Sequence, residues 1–350
     1  MQALLDILRC PVSGSRLDWK GSADEGLLLS PEGAAYPIIE GIPRMLPADL
    51  LGPFLRRAYP DRLARWPRLA AAVEGAPPAA PLVLETAVAY DFQHVELADD
   101  EWPVDDWRAT WARFQPGVPP SRFVEQAVVE IGCGEGRHAW LVGEHARLLV
   151  GLDLSRGVEV ARRRDQRSHV FYVQADLHRP PLARGAFDAL YSNGVLHHTP
   201  SPIDAFRAVS PLVRPGGWTH VWVYGLDEMR LSYRLSHLSW LRPVTNRLPR
   251  AAQYGLAAAG AGVLEGALWT PARLLRRVGR ADLAERLPFN DAADRPWRYK
   301  VRRAMDRLNP PITHYLDRAA LAGWFAEFES VEVVNAAGQG WSARGRVPPS

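Results

Sequence analysis

The sequence predicts an α/β fold in which a mainly parallel sheet carries helices on both faces. The first observation is Val128–Arg137 (VVEIGCGEGR), which reads as a buried strand, a tight glycine turn and the start of a helix. The second is Arg147–Leu152, an apolar strand that ends at Asp153, roughly 20 residues past the glycines. In α/β folds, a carboxylate at that position binds the hydroxyl groups of a ribose.

The glycine turn predicts a ligand that lies against the backbone. Gly132, Gly134 and Gly136 alternate with other residues, a spacing that differs from the Gly-x-Gly-x-x-Gly of dinucleotide folds. Glycine tolerates unusual backbone angles and leaves room for a ligand where a Cβ would stand. The N–H groups of the following helix then face that ligand.

Further elements of the same fold follow in order. Ser201–Val213 is a predicted helix with Pro202 near its favoured first position. The other predicted elements are strands at His169–Val173, Phe187–Tyr191, Trp218–Tyr224, Ser330–Asn335 and Trp341–Arg346, and a helix at Asp317–Phe325.

Four segments in this order resemble the class I S-adenosylmethionine (SAM) methyltransferases with a type 11-like domain. They are VVEIGCGEGR, GLDLS, QADLHRPPLARGAFDALYSNGVLHH and LVRPGGWTHVWVY, and they cover about Ala127 to Tyr224. The resemblance implies a Rossmann-like, seven-stranded methyltransferase sheet, S-adenosyl-L-methionine as the cofactor and methyl transfer as the activity. A nicotinamide-binding domain is the alternative, but the Pro-Gly-Gly before the fifth strand is typical of the methyltransferases.

The resemblance also implies a role for each motif residue. Glycines let the backbone approach the cofactor, and carboxylates orient it. The implied contacts are Glu130 with the amino acid end, Gly132, Gly134 and Gly136 with the methionine and ribose, Asp153 with the ribose hydroxyls, Asp176 and the Leu177 backbone with the adenine edge, and Asn193 with the methionine and the methyl-transfer opening.

Two histidines, His197 and His198, lie just past the end of the fourth strand of this core. One of them is a candidate general base for a hydroxyl group or an acidic carbon. Alternatively, either ring caps or packs against the following helix.

Residues 1–47 form a separate small α+β unit. Leu27–Leu29 and Ala35–Ile39 read as strands, and the phrases LLDILRCPVSGSRL and AAYPIIEGIPRML resemble a zinc-ribbon family that includes the activator protein of tRNA methyltransferases. A structural zinc site needs four sulfur or nitrogen ligands. Because Ser13 stands where Cys10 would need a partner, the unit is expected to hold no metal. It is either a docking module or a surface for a partner or substrate.

Residues 48–115 are predicted to form a linker and a helical cap. Trp107, Trp111 and Phe114 share one helical face because they are four and three residues apart. That face either packs in the core or closes the methyl-transfer site against water.

A helical insertion at 226–312 separates the SAM-binding core, 116–225, from the closing elements at 313–350. Between Arg230 and Arg307 there are 16 Lys/Arg against 6 Asp/Glu. We expect a substrate lid whose arginines are solvated, or contact an anionic substrate, a carrier protein or a membrane face. Its apolar positions recur at helical spacing: Leu231, Leu235, Leu238, Leu241, Leu264, Leu268, Leu274 and Val278.

Composition narrows the class of protein. The chain has 350 residues, is 47% hydrophobic and carries a net charge of +3, which makes no strong case for nucleic acid. Its two cysteines cannot form a disulfide framework, so a reducing, cytoplasmic setting is expected. Neither a signal peptide nor a membrane span is predicted.

The acceptor is predicted from the end of the fourth strand. Ser192–Val195 stands where methyltransferases of exocyclic base amino groups carry Asn/Asp-Pro-Pro-Tyr/Phe. We therefore expect O-, N- or C-methylation of a small molecule of secondary metabolite, glycan or quinone type. The alternatives are an RNA methyltransferase, indicated by the zinc-ribbon-like start and the basic insertion, and a non-catalytic SAM-binding interaction protein.

Overall fold

The computed structural model describes residues 1–63, 66–75, 80–98, 104–225, 242–336 and 338–349. The chain divides into two compact units, one of residues 1–95, 103–228 and 312–350, the other of residues 96–102 and 229–311. The predicted apolar positions Leu231, Leu235, Leu238 and Leu241 lie outside the described residues.

The larger unit is built on one sheet, which has eleven strands among the described residues. In space the strands follow the order β1-β2-β3-β4-β7-β6-β5-β8-β9-β11-β10. In sequence they are β1 Asp18–Gly21, β2 Glu25–Leu29, β3 Ala35–Ile39, β4 Ile42–Met45, β5 Ala127–Ile131, β6 Leu148–Asp153, β7 Val170–Ala175, β8 Phe187–Asn193, β9 Val213–Tyr224, β10 Glu329–Asn335 and β11 Gly340–Arg346.

The helices fall into both units. Those of the larger unit are α1 Gln2–Leu5, α2 Ala48–Ala58, α3 Pro60–Leu63, α4 Pro67–Glu74, α5 Pro81–Asp91, α6 Val104–Phe114, α7 Arg137–Gly143, α8 Gly157–Arg164, α9 Pro202–Val209 and, after the smaller unit, α15 Arg318–Trp324. Those of the smaller unit are α10 Arg242–Thr245, α11 Arg250–Leu264, α12 Thr270–Arg277, α13 Ala281–Arg286 and α14 Trp297–Leu308. Phe92–Glu96 and Glu265–Trp269 are π-helical.

Strands β5 to β11 form the predicted α/β methyltransferase sheet, and the predicted fold class is confirmed. Strands β7, β6, β5, β8 and β9 are parallel, and β11 and β10 close the sheet antiparallel. The chain moves from β5 to β6 and β7 on one side, then returns to β8 and β9 on the other. Since such crossovers are right-handed, α7 and α8 cover one face and α9 covers the other. Ligands bind such sheets where the strand order reverses, here between β5 and β8.

Strands β5 to β11 account for the seven predicted strands, but the sheet has eleven among the described residues because the N-terminal unit extends it by four. Its last strand, β4, pairs parallel with β7 through Arg44 opposite Gln174 and Met45 opposite Ala175. The sequence predicted β2 and β3 but neither β1 nor β4. Strand β4 has only four residues and contains Pro43, so it carries little local strand signal.

Strand β3 shows how the N-terminal unit is packed, because both of its faces are buried. Tyr36 and Ile38 point into the core that includes Val129 and Val173 of the methyltransferase sheet. Ala35 and Ile39 point the other way, into a cluster formed with α2 and α4. The alternation follows from the two-residue period of a strand.

The smaller unit is helical. Ala257 and Ala261 of α11 are buried, as are Val301 and Met305 of the neighbouring α14. Glu265, where the α-helix gives way to a π-helix, accepts a hydrogen bond of 2.7 Å from the buried Lys300 ammonium group.

Two described positions of the predicted apolar stripe in the smaller unit are exposed, and the other two, Leu264 and Leu268, are half-buried. Leu274 is 54% exposed and Val278 71% exposed. The helix α12 ends at Arg277, and the chain turns at Gly279, whose φ is +78°. No helix within the described ranges is long and apolar enough to cross a membrane.

Candidate functional site

The glycine turn follows β5, at the point where the strand order reverses. Gly132 and Gly134 have φ angles of +74° and +51°, in the left-handed region that favours glycine. A Cβ on Gly132 would lie 2.2 Å from a methyl group of Val195, and one on Gly134 would lie 2.8 Å from the His94 ring. Gly136, with φ of +81°, is the N-cap of α7. The turn therefore needs glycine for conformation and for space.

Asp153 fastens this turn to the end of β6. One carboxylate oxygen accepts a hydrogen bond of 2.7 Å from the Gly134 N–H, and the other accepts from the N–H and hydroxyl group of Ser155 at 2.8 and 2.6 Å. The sequence placed Asp153 beside a ribose, and it lies at the edge of the sheet where that ribose is expected.

Glu130 of β5 is buried just below the turn. Burial raises the pKa of this carboxyl group well above its ordinary value, and its Oε2 has no hydrogen-bond partner among the described residues. A buried acceptor without a donor costs on the order of 1–3 kcal/mol. The amino acid end of a cofactor carries a cationic amino group that would satisfy it.

Asp176 and Leu177 lie just past β7, two strands from the turn. One carboxylate oxygen of Asp176 accepts from the N–H and the ring Nδ1 of His178, at 3.0 and 3.1 Å. Burial by itself would raise the pKa of Asp176, but these hydrogen bonds outweigh it and lower the pKa. The Asp176 hydrogen bond likewise raises the pKa of His178. The carboxylate is therefore charged and fixed in orientation.

Asn193 ends β8 and joins two residues that the sequence did not single out. Its Oδ1 accepts a hydrogen bond of 2.6 Å from Gln115, and its Nδ2 lies 3.1 Å from Nδ1 of His138. Gln115 and His138 are both buried. His138 directly follows the glycine motif, and that position could have identified it as a candidate site residue. No sequence pattern distinguished Gln115.

The predicted aromatic face of α6 packs beside this group. Trp111 is buried, and its ring centroid lies 5.5 Å from that of His138 and 5.1 Å from that of Tyr191. Phe114 stacks on Trp222 of β9 with 3.8 Å between the ring centroids. The helix therefore covers the β8 and β9 end of the site.

His197 and His198 lie in a 3-10 turn after β8, and both are buried. The two rings are 4.1 Å apart, and His197 lies 4.1 Å from the ring of Tyr224. The His198 Nδ1–H donates a hydrogen bond of 2.8 Å to the Ile312 carbonyl oxygen. In the neutral ring this leaves Nε2 as the nitrogen that can take up a proton. Whether either ring is a base remains a prediction.

A further ion pair lies directly behind the site and had no sequence signal. Arg44 of β4 is 0% exposed, and its guanidinium lies 3.1 Å from the carboxylate of Glu159 in α8. Tyr59 donates to the same carboxylate at 2.8 Å. Gln174, which accepts from Arg44 at 3.1 Å, donates to the Leu154 carbonyl oxygen beside Asp153.

The region of the predicted zinc-ribbon-like ligands is held by hydrogen bonds. Ser13 and Ser15 both donate to one oxygen of Glu32 at 2.9 Å, and the Cys10 thiol lies 3.3 Å from the Tyr36 hydroxyl group. Within the described ranges, no group of three or more His, Cys, Asp or Glu side chains could hold a metal ion.

These features fit SAM. The glycines leave the backbone open, Asp153 and Asp176 stand at the ends of adjacent strands, and Glu130 offers a buried acceptor. When bound, SAM supplies a methyl group already activated by its sulfonium. The roles toward it of all the predicted cofactor-binding residues stay predictions: Glu130, Gly132, Gly134, Gly136, Asp153, Asp176, Leu177 and Asn193.

The class of protein defined by this fold and site is that of the SAM-dependent methyltransferases. Residues 129–221 match the family model described as a methyltransferase domain. The chain thus contains a SAM-dependent methyltransferase domain, and the predicted methyltransferase resemblance, enzyme class and cofactor are confirmed. The zinc-ribbon-like resemblance of residues 1–47 stays a prediction.

More particular similarity is to tRNA-modifying enzymes. A "tRNA U34 carboxymethyltransferase" of Pseudoalteromonas atlantica is 33% identical over 126 residues, covering 34% of this chain and 36% of the relative. One of Aliivibrio fischeri is 39% identical over 127 residues, covering 34% and 37%. One of Geobacter sp. is 36% identical over 135 residues, covering 37% and 39%. The matched region spans little more than a third of each of these relatives.

Solved structures are similar at lower identity. A DhpI complex with S-adenosylhomocysteine (SAH) is 16% identical with a TM-score of 0.46, covering 77% of this chain and 98% of that one. A complex between the Haloferax volcanii Trm112 methyltransferase activator and a methyltransferase is 19% identical with a TM-score of 0.34, covering 45% and 65%.

The relatives correct two expectations. The sequence led us to expect a small-molecule acceptor and to consider nucleic acid unlikely. Relatives at 33% and 39% identity are named for modification of tRNA, which contradicts both expectations and favours the RNA alternative.

Proposed function

We propose that this protein is a SAM-dependent RNA methyltransferase whose acceptor is a tRNA. The observation that carries the proposal is the similarity, at 33–39% identity, to enzymes named for tRNA position U34. These relatives match about a third of the chain, and residues both inside and outside the matched region fit the same acceptor.

The end of β8 supports a uridine more than a base with an exocyclic amino group. Ser192–Val195 lacks the Asn/Asp-Pro-Pro-Tyr/Phe signature of methyltransferases that act on such amino groups. Uridine has no exocyclic amino group, so that signature is not needed for it. The same feature that spoke against base N-methylation is thus compatible with the proposed acceptor.

The charge of the smaller unit also fits an RNA partner. Residues 242–311 contain 14 Lys/Arg against 6 Asp/Glu, an excess of eight positive charges. Most of these arginines lie in ion pairs or hydrogen bonds, but the side chains of Arg247, Arg277 and Arg286 are exposed and have no ion-pair partner among the described residues. Exposed cations of this kind neutralise phosphates and account for most non-specific affinity for nucleic acid.

In this proposal His198 is the general base, and His197 packs behind it. The Ile312 carbonyl oxygen orients the His198 ring, which leaves Nε2 to accept a proton from an acceptor hydroxyl group. Asn193 and the aromatic face of α6 exclude water at this end of the sheet. A tRNA acceptor fits the cytoplasmic location predicted from the sequence. Both Cys10 and Cys133 are free thiols, which fits the same reducing compartment.

A transfer assay tests the proposal. The full-length protein is incubated with methyl-labelled SAM and, separately, with total tRNA or with the small-molecule fraction of a cell extract. Label should enter tRNA, disappear on ribonuclease treatment and, at SAM concentrations below saturation, enter much more slowly with D153A. Because SAM is the only donor supplied, the mass of the modified nucleoside should correspond to one added methyl group. Label that enters only the small-molecule fraction would overturn the proposal.

A further inference from the structure

His138, the second residue of α7, has a buried ring nitrogen that makes no hydrogen bond to any described residue. The side chain is 5% exposed, and its Nε2 has no hydrogen-bond partner among the described residues. Its other ring nitrogen, Nδ1, lies 3.1 Å from Nδ2 of Asn193. The ring is therefore held at one nitrogen and open at the other.

The hydrogen-bond chain sets which nitrogen carries the proton. Gln115 donates to Oδ1 of Asn193, so the amide of Asn193 turns its Nδ2 group toward His138. An amide N–H can only donate, so Nδ1 of His138 must accept. In the neutral ring the proton then lies on Nε2.

The ring stays neutral across the physiological range. Burial, and secondarily the charge of Arg137, lowers the pKa of His138 to about 3. His138 is thus a fixed hydrogen-bond donor and cannot serve as a cation or as a base near neutral pH.

A buried N–H without an acceptor is unfavourable, so its persistence points to a ligand atom. Asn193, to which His138 is bonded, ends β8, whereas the ribose is expected at Asp153 on the other side of β5. The part of SAM that extends from the ribose past β5 is its amino acid end. That end has one anionic group, a carboxylate.

We propose that the Nε2–H of His138 binds the carboxylate of the amino acid end of SAM, with Asn193 and Gln115 as positioning residues. The inference requires that the protein binds SAM, and it holds whether or not the methyl acceptor is RNA.

Calorimetry with two ligands tests this. SAH has the amino acid end, and 5′-methylthioadenosine lacks it. For H138F we expect affinity for SAH to fall about ten- to a hundredfold, with affinity for methylthioadenosine unchanged. H138Q should recover part of the SAH affinity because its amide N–H2 can donate.

His220 of β9 supplies the matched control. It is also a buried histidine whose pKa burial lowers to about 3, but it packs against Phe123 and Trp218 and not against Asn193. H220F should bind both ligands like the wild type. Unchanged SAH binding in H138F, or an equal loss for both ligands, would overturn the proposal.

Nitrogen NMR of histidine-labelled wild-type protein tests the tautomer directly. The His138 ring, assigned by its absence in H138Q, should carry its proton on Nε2 and show no titration from about pH 5 to 8. A proton on Nδ1, or titration in that range, would contradict the inference.

Discussion

Arg44 of β4 and Glu159 of α8 form an ion pair of 3.1 Å that is closed to solvent. Arg156 adds two hydrogen bonds to the same carboxylate, at 3.1 and 2.9 Å. The Arg156 backbone N–H in turn donates to Asp91 at 2.6 Å. The N-terminal strand is thereby bonded to the helix that directly follows Asp153 and Ser155, so the small N-terminal unit supports the end of β6 where the ribose is expected.

We expect R44M to destabilise the protein by about 1.5–3 kcal/mol, because it removes a buried charge-assisted hydrogen bond to Glu159, which keeps Arg156 as its remaining cation. Replacing both partners, as in R44M/E159L, should recover most of that loss, since an apolar pair of similar volume avoids the desolvation of two charges. Urea unfolding of the two single variants and the double variant measures the coupling. A double variant as unstable as the sum of the single variants would contradict this account.

For D153A we expect SAM and SAH to bind roughly ten- to a hundredfold more weakly. The loss corresponds to about 1.5–3 kcal/mol for a hydrogen bond to a charged group. D188A is the control, because Asp188 also accepts a backbone N–H at 2.7 Å, from Ala127 at the start of β5, far from the glycine turn. Calorimetry should show normal SAH binding for D188A. Equal affinity of D153A and wild type for SAH would contradict the proposed binding of the ribose by Asp153.

The His198 base predicts a change in turnover that leaves SAH affinity intact. H198N keeps an N–H that can donate to the Ile312 carbonyl oxygen but has no group that takes up a proton, so turnover should fall about a hundred- to ten-thousandfold. H197N, the control, should keep turnover close to that of the wild type. A normal rate in H198N would exclude this role.

Binding to tRNA should depend steeply on salt if the exposed arginines of the smaller unit contact phosphates. For R277Q we expect weaker binding and a slope of log affinity against log salt that is shallower by about one. R207Q is the control, because Arg207 is an exposed arginine of the larger unit that lies beside Asp204. Fluorescence anisotropy with labelled tRNA at several salt concentrations measures both slopes, and identical slopes for R277Q and wild type would argue against this contact.

His220 predicts a pH dependence of stability. Its folded pKa, about 3, is below the unfolded value of 6.5, so the unfolded state binds more protons between these values and stability falls as pH falls through that window. Between pH 7 and 5 this term costs the wild type about 2 kcal/mol. H220F has no histidine to protonate at this position, so its stability relative to the wild type should improve by about 2 kcal/mol when the pH falls from 7 to 5. Urea unfolding at both pH values measures the difference, and a relative stability independent of pH would contradict it.

The sequence was strongest where the signal is local. Val128–Arg137 and Asp153 identified the turn, the strands on either side of it and the cofactor, because glycine spacing and apolar runs act over a few residues. The helix before the last hairpin was also predicted, and Asp317 caps it by accepting from the Ala320 N–H at 2.6 Å.

The acceptor was where sequence reasoning failed. The end of β8 was read as that of a small-molecule enzyme because it lacks one signature of base methylation. That signature reports the chemistry of an exocyclic amino group and does not report RNA as such, so its absence could not exclude a uridine. The basic excess of the insertion pointed toward the RNA alternative, but the small net charge of the whole chain obscured it.

By itself the sequence determined the methyltransferase sheet, its glycine turn and the carboxylates at its strand ends, because each depends on neighbouring residues. Only the tertiary structure decided that β4 pairs with β7, that Arg44 finds Glu159, and that Gln115 and Asn193, 78 residues apart, set the tautomer of His138. Those contacts form between segments whose order in the chain says nothing about their distance in space. Their energy comes from burial, which strengthens each hydrogen bond and ion pair once the core has closed around it.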